Sequence, residues 1–115
     1  MASLVEQATA LLELCRQKKL RIATAESCTG GLIVTTLTEI PGSSAVVDRG
    51  FVTYSNDAKQ AMLNVPAETL KQHGAVSRET AEAMAAGALR NSLADIAVSV
   101  TGIAVAVTRF TRSHC

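Results

Sequence analysis

Apolar residues recur along the chain in two rhythms, helical and extended, and their order predicts a layered α/β domain. Leu4, Ala8, Leu11, Leu12 and Cys15 form one stripe at helical spacing behind a Ser3-Leu4-Val5-Glu6 capping-box pattern. Gln17-Lys18-Lys19 then sets cations near the negative end of that helix. Residues 20–25 read as a short strand, and 31–40 as a second helix stopped by Pro41-Gly42-Ser43-Ser44. Residues 45–54 make a longer β-prone run, and Asp48-Arg49-Gly50 within it predicts a bulge or an exposed stretch. Ser55-Asn56-Asp57 can cap a helix over 58–63, Pro66 opens another that Gly74 closes, and Ser77 caps a third from 78 to about 93. Residues 96–100 have the pattern of a buried strand and lead into Thr101-Gly102-Ile103.

Strands alternating with helices imply a partly parallel sheet, whose ligands bind at the carboxyl ends of the strands. Two strands end in small, polar, Gly-containing segments, 27–31 and 99–102, and these are the expected site walls. Composition narrows the picture. Hydrophobic residues make up 48% and charged ones 18% of the 115 residues, which fits a single folded domain. Aromatics are only 3%, so the core is built from Ala, Val, Leu and Ile, without the stacking platforms of single-stranded nucleic-acid binders. With 11 Lys+Arg against 10 Asp+Glu the net charge is +1, so neither a nucleic-acid partner nor a membrane surface is expected. No apolar stretch approaches the roughly 20 residues that span a bilayer, and the first residues lack the pattern of a secretory leader. The three cysteines, Cys15, Cys28 and Cys115, lack metal-type spacing, which points to a reducing cytoplasm without a disulfide framework.

Chemistry concentrates in Ser27-Cys28-Thr29-Gly30-Gly31. A sharp strand-to-helix turn leaves N–H groups without intrahelical partners, and these can hold a phosphate or an oxyanion beside the Ser27 hydroxyl. The competing structural reading is a Ser cap and a Gly-rich turn that only packs. Lys59 falls in the first turn of a helix, where the local field and partial burial favour a neutral amine fit to act as a base. Tyr54, at a strand end, could relay a proton or orient the serine; a solvated lysine beside a packed tyrosine is the alternative. His73 suits the C-terminal dipole of its own helix, and His114 lacks a catalytic setting. Cys28 is a rival nucleophile without a partner histidine and reads as structural. Glu26 and Asp57 join no His or Cys in a metal constellation, so no metal is expected.

Four runs in register, Ala25–Gly31, Gly50–Lys59, His73–Ser77 and Ser99–Ala104, resemble the CinA C-terminal-domain family, the nicotinamide-nucleotide amidases. The resemblance covers about residues 4–104. It implies a three-layer α/β/α sandwich that hydrolyses the carboxamide of nicotinamide mononucleotide, giving nicotinic acid mononucleotide and ammonia, without metal or cofactor. It carries the nucleophile onto Ser27, the tyrosine onto Tyr54 and the lysine onto Lys59. Cys28, Thr29, Gly30, Gly31, Thr101 and Gly102 become the substrate-binding positions.

After Ala104 the sequence departs from the family pattern, which continues with a Gly/Pro-rich loop, further strands and a final helix. Here residues 105–115 form a divergent tail, so the domain over 1–104 is expected to be incomplete, lacking the last strands and helix. The exposed sheet edge this implies favours a homo-oligomer. It also leaves open a second reading, a catalytically incompetent interaction or structural module.

Overall fold

The capping box at Ser3 forms as its residues dictate. The Ser3 hydroxyl accepts from the Glu6 N–H at 3.1 Å, and the Glu6 carboxylate accepts from the Ser3 N–H. This starts helix α1, Leu4–Lys18, in a computed structural model that describes residues 3–109. There follow β1 (Ile22–Glu26), α2 (Leu32–Thr38), a 3₁₀ turn (Ser43–Ala45), β2 (Val47–Val52) and α3 (Asn56–Leu63). The chain continues through α4 (Ala67–His73), α5 (Arg78–Arg90), β3 (Ile96–Thr101) and β4 (Ala104–Arg109). Ser55 and Ser77 cap α3 and α5 through their hydroxyls, and Gly74 closes α4, as their positions predict.

The strands form one sheet in the order β2-β1-β3-β4, with β1 parallel to both β2 and β3, and β4 antiparallel to β3. Alternate residues of the central strands supply opposite faces. Ala23, Ala25 and Ala97 pack against Met84, Ala85 and Ala88 of α5 and Leu63 of α3. Ile22 joins Ala8, Leu12 and Cys15 of α1 and Leu37 of α2 on the other side. Helices therefore cover both faces, the three-layer α/β/α arrangement.

The small residues on the α5 side let that helix sit close. Gly87 lies so near α3 that an added Cβ would stand 1.8 Å from the Leu63 carbonyl oxygen. Glycine inside a helix costs about 1 kcal/mol relative to Ala, and here the close backbone approach is what it permits.

Several boundaries differ from the sequence pattern, three of them with a bearing on the site or the sheet. The second helix occupies Leu32–Thr38 rather than 31–40, and the second strand begins at Val47 rather than 45 because Ser43–Ala45 winds into the 3₁₀ turn. The interruption at Asp48 is a real irregularity: Ile22 pairs with Val47 but Ala23 with Arg49. Asp48 uses its carboxylate instead, accepting from the Leu93 N–H at 3.0 Å and Arg49 Nε at 2.7 Å. Finally, residues 104–109, partly read as a divergent tail, continue the sheet as β4. Their alternation of small and β-branched residues suits an edge strand. The rest of that tail, with His114 and Cys115, lies outside the described residues.

On β4 the two faces differ. Ala106 packs toward the α5 core, whereas Val105 and Val107 are 60% and 66% exposed. Beside them an apolar recess of about 270 Å³, lined by Ala8, Leu11, Ile33, Leu37 and Val98, opens between α1, α2 and the sheet. No helix among the described residues is long and apolar enough to cross a membrane.

Candidate active site

β1 delivers Ser27 to the carboxyl end of the sheet. The Ser27 N–H donates to Val100 O of β3 at 3.0 Å, and the chain then turns through Gly30 and Gly31 (φ 62° and 106°) into α2. The Gly30 N–H is spent on Ser27 O, whereas those of Cys28, Thr29 and Gly31 meet no acceptor among the described residues. The turn thus presents unpaired backbone donors beside a hydroxyl.

α3 brings the second group. Lys59 is 1% exposed, and its Nζ lies 3.1 Å from Ser27 Oγ. The same amine donates to Thr53 O at 3.2 Å and Tyr54 O at 3.3 Å. No carboxylate pairs with it among the described residues. Burial therefore pushes its pKa below the usual lysine value, while the neighbouring Cys28 pulls weakly the other way. The three oxygens suit both protonation states. An ammonium can donate to all of them; a neutral amine donates to the two carbonyls and turns its lone pair on the serine O–H.

The Tyr54 side chain is not brought to the Ser27–Lys59 pair. Its side chain is 77% exposed, and no hydrogen bond ties its hydroxyl to Ser27 or Lys59 among the described residues. It reaches the pair through its backbone carbonyl. A tyrosine at the last turn before α3 has its main chain held by Lys59, which leaves the ring outside the buried pair.

The remaining expected site residues surround this corner. Cys28 is an exposed free thiol, and its Sγ lies 3.5 Å from Gly102 O. Thr29 has a buried Oγ1 without a hydrogen-bond partner. Thr101 is fully engaged, its hydroxyl donating to Ala75 O at 2.6 Å, and Gly102 turns the chain with φ 59° beneath Val76. His73 stands apart, 3.5 Å from Glu79 at the end of α4, beside an open recess of about 840 Å³ that includes Arg78, Glu82 and Val105. That recess holds no arrangement like the hydroxyl and buried amine of the Ser27 corner.

Glu26 is the residue that sequence reasoning left without a role. It is fully buried, and its carboxylate accepts from the Ile33 and Val34 N–H groups at 2.9 and 3.0 Å. Gly31, the N-cap position just before α2, has no side chain to do this. A Glu directly before the serine, with no cap at the helix start, was the available signal.

A model of the CinA C-terminal domain matches residues 4–108. The chain belongs to that family. It is 58% identical over 83 residues to the nicotinamide-nucleotide amidohydrolase PncC of Escherichia coli (strain K12), covering 72% of this chain and 50% of that protein. It is 63% identical over 92 residues to a CinA-like protein of Chloroherpeton thalassium, covering 80% of this chain and 22% of that one. The CinA-family chain thus spans between about a fifth and a half of these curated relatives. Among solved structures, the competence/damage inducible protein CihA from Agrobacterium tumefaciens superposes with a TM-score of 0.84 at 61% identity, over 86% of this chain and 60% of that one. A CinA-superfamily protein from Escherichia coli gives a TM-score of 0.85 at 27% identity, over 96% and 78%.

Proposed function

We propose that the chain is an amidohydrolase that cleaves the carboxamide of nicotinamide mononucleotide through a Ser27 acyl-enzyme. The observation that carries this reading is the contact of 3.1 Å between Ser27 Oγ and a buried lysine that no carboxylate pairs with among the described residues. Such a lysine reaches its neutral form at lower pH than a free one and can take the serine proton. Ser27 Oγ then bonds to the carboxamide carbon. The developing oxyanion meets the unpaired N–H groups of Cys28 and Thr29, and the Lys59 ammonium returns its proton to the departing nitrogen, which leaves as ammonia. Water, deprotonated by Lys59, attacks the acyl-enzyme; the acid is released and Ser27 recovers its proton. The identity to PncC supports the choice of substrate.

Ammonia release from nicotinamide mononucleotide by the purified 115-residue chain tests the proposal, with Ser27→Ala as the control. Activity in the wild type that vanishes in the variant is expected; activity that survives the substitution rejects Ser27. The exposed Val105 and Val107 favour one other reading, an inactive module that associates through its open sheet face. A folded, self-associating wild type that releases no ammonia would decide for it.

A further inference from the structure

We infer that Glu26 is a positioning residue that sets Ser27 and Lys59 at their reacting distance. The inference rests on the Ser27–Lys59 reading above. The Glu26 side chain bridges the base of the turn, from the end of β1 to the Ile33 and Val34 amides, so the residues between are held in a closed loop. Its main chain points the other way: Glu26 O accepts from the Thr53 N–H at 2.8 Å, and Thr53 O in turn accepts from Lys59 Nζ at 3.2 Å. One buried residue therefore fixes the turn that carries the nucleophile and the peptide that aims the base. By accepting from Ile33 and Val34, Glu26 also occupies the helix donors and leaves the Cys28, Thr29 and Gly31 N–H groups as the unpaired ones.

Glu26→Gln keeps size and one acceptor but turns an NH₂ toward a backbone N–H, so it should loosen the turn without emptying the core. Displacing a reacting group by about 1 Å costs about 100-fold, which sets the scale of the effect. The readout is the rate at which a fluorophosphonate labels Ser27, with its pH midpoint, since this needs the nucleophile but not the amide substrate. Labelling should fall about 10- to 100-fold in Glu26→Gln and further in Glu26→Asp, which cannot span the turn, while the pH midpoint set by Lys59 burial stays in place. Leu37→Ala serves as the matched control: it weakens the packing of the same helix at a buried position outside the site. Its folded fraction should label at the wild-type rate.

Wild-type labelling in Glu26→Gln overturns the inference alone. Equal losses in Glu26→Gln and Leu37→Ala, at equal loss of Tm, overturn it in favour of a purely structural carboxylate. Failure of the wild type to label removes the serine nucleophile and the inference with it.

Discussion

The two strand ends at 27–31 and 99–102 are close in composition and adjacent in space, yet their hydroxyls have opposite fates. At the second, Ser99 donates to Ala81 O at 2.5 Å and Thr101 to Ala75 O at 2.6 Å, and both side chains are buried. A hydroxyl held by a carbonyl must donate, and it stays a fastener between β3 and its neighbours. At the first, the Ser27 hydroxyl faces an amine that can accept its proton. Small polar residues at a strand end supply the material; the group opposite decides between adhesion and chemistry.

The contrast can be broken most completely at Ser27. Ser27→Ala should lower amide hydrolysis at least ~1,000-fold while leaving the unfolding free energy within about 1 kcal/mol of the wild type, as measured by ammonia release and thermal melts. Lys59→Met should follow, with about a 100- to 10,000-fold loss. It also carries a signature in pH. Wild-type activity should rise with pH as Lys59 loses its proton, with a midpoint below the ordinary lysine value of 10.5. Stability should rise over the same window, because between the lowered folded pKa and 10.5 the unfolded chain holds a proton that the folded chain has lost. Melts across this range should show that slope in the wild type and its absence in Lys59→Met.

Changes at the second strand end should act on stability instead. Gly102→Ala must hold an L-residue at φ 59° and place a methyl 2.4 Å from a Val76 carbon, for a loss of about 1–3 kcal/mol in denaturant melts. Thr101→Val removes the donor to Ala75 O and should cost about 1 kcal/mol, with kcat changed less than about threefold. A large fall in kcat from Thr101→Val at unchanged Tm would put the second strand end in the chemistry too.

Much of this was legible along the chain. Helical periodicity and the caps at Ser3, Ser55 and Ser77 are local, and they give α1, α3 and α5 to within two or three residues at each end. Asp48 interrupts its run where the register slips. Ser27 and Lys59 also stood out, the first by its Gly-rich turn and the second by a charge in the wrong part of a helix. Their meeting was legible only through the family resemblance, because no residue pattern shows that β1 lies parallel to β2 with α3 returning over the sheet. The orientation of Tyr54 was hidden for a related reason: one carbonyl fixes the backbone there, and no pattern of residue types says which way the ring then leaves. Glu26 escaped because its partners, Ile33 and Val34, donate through the main chain, which every residue has.

The close approach of α5 to α3 at Gly87 has a reach beyond packing. Leu63, which touches it, lies one turn of α3 beyond Lys59, so the surface of one helix is the ruler against which the base is measured. Any side chain at position 87 would collide with the Leu63 backbone, so one of the two helices would have to shift. A position without a functional group of its own can thereby govern the rate, and lesions there would be mistaken for damage to the chemistry.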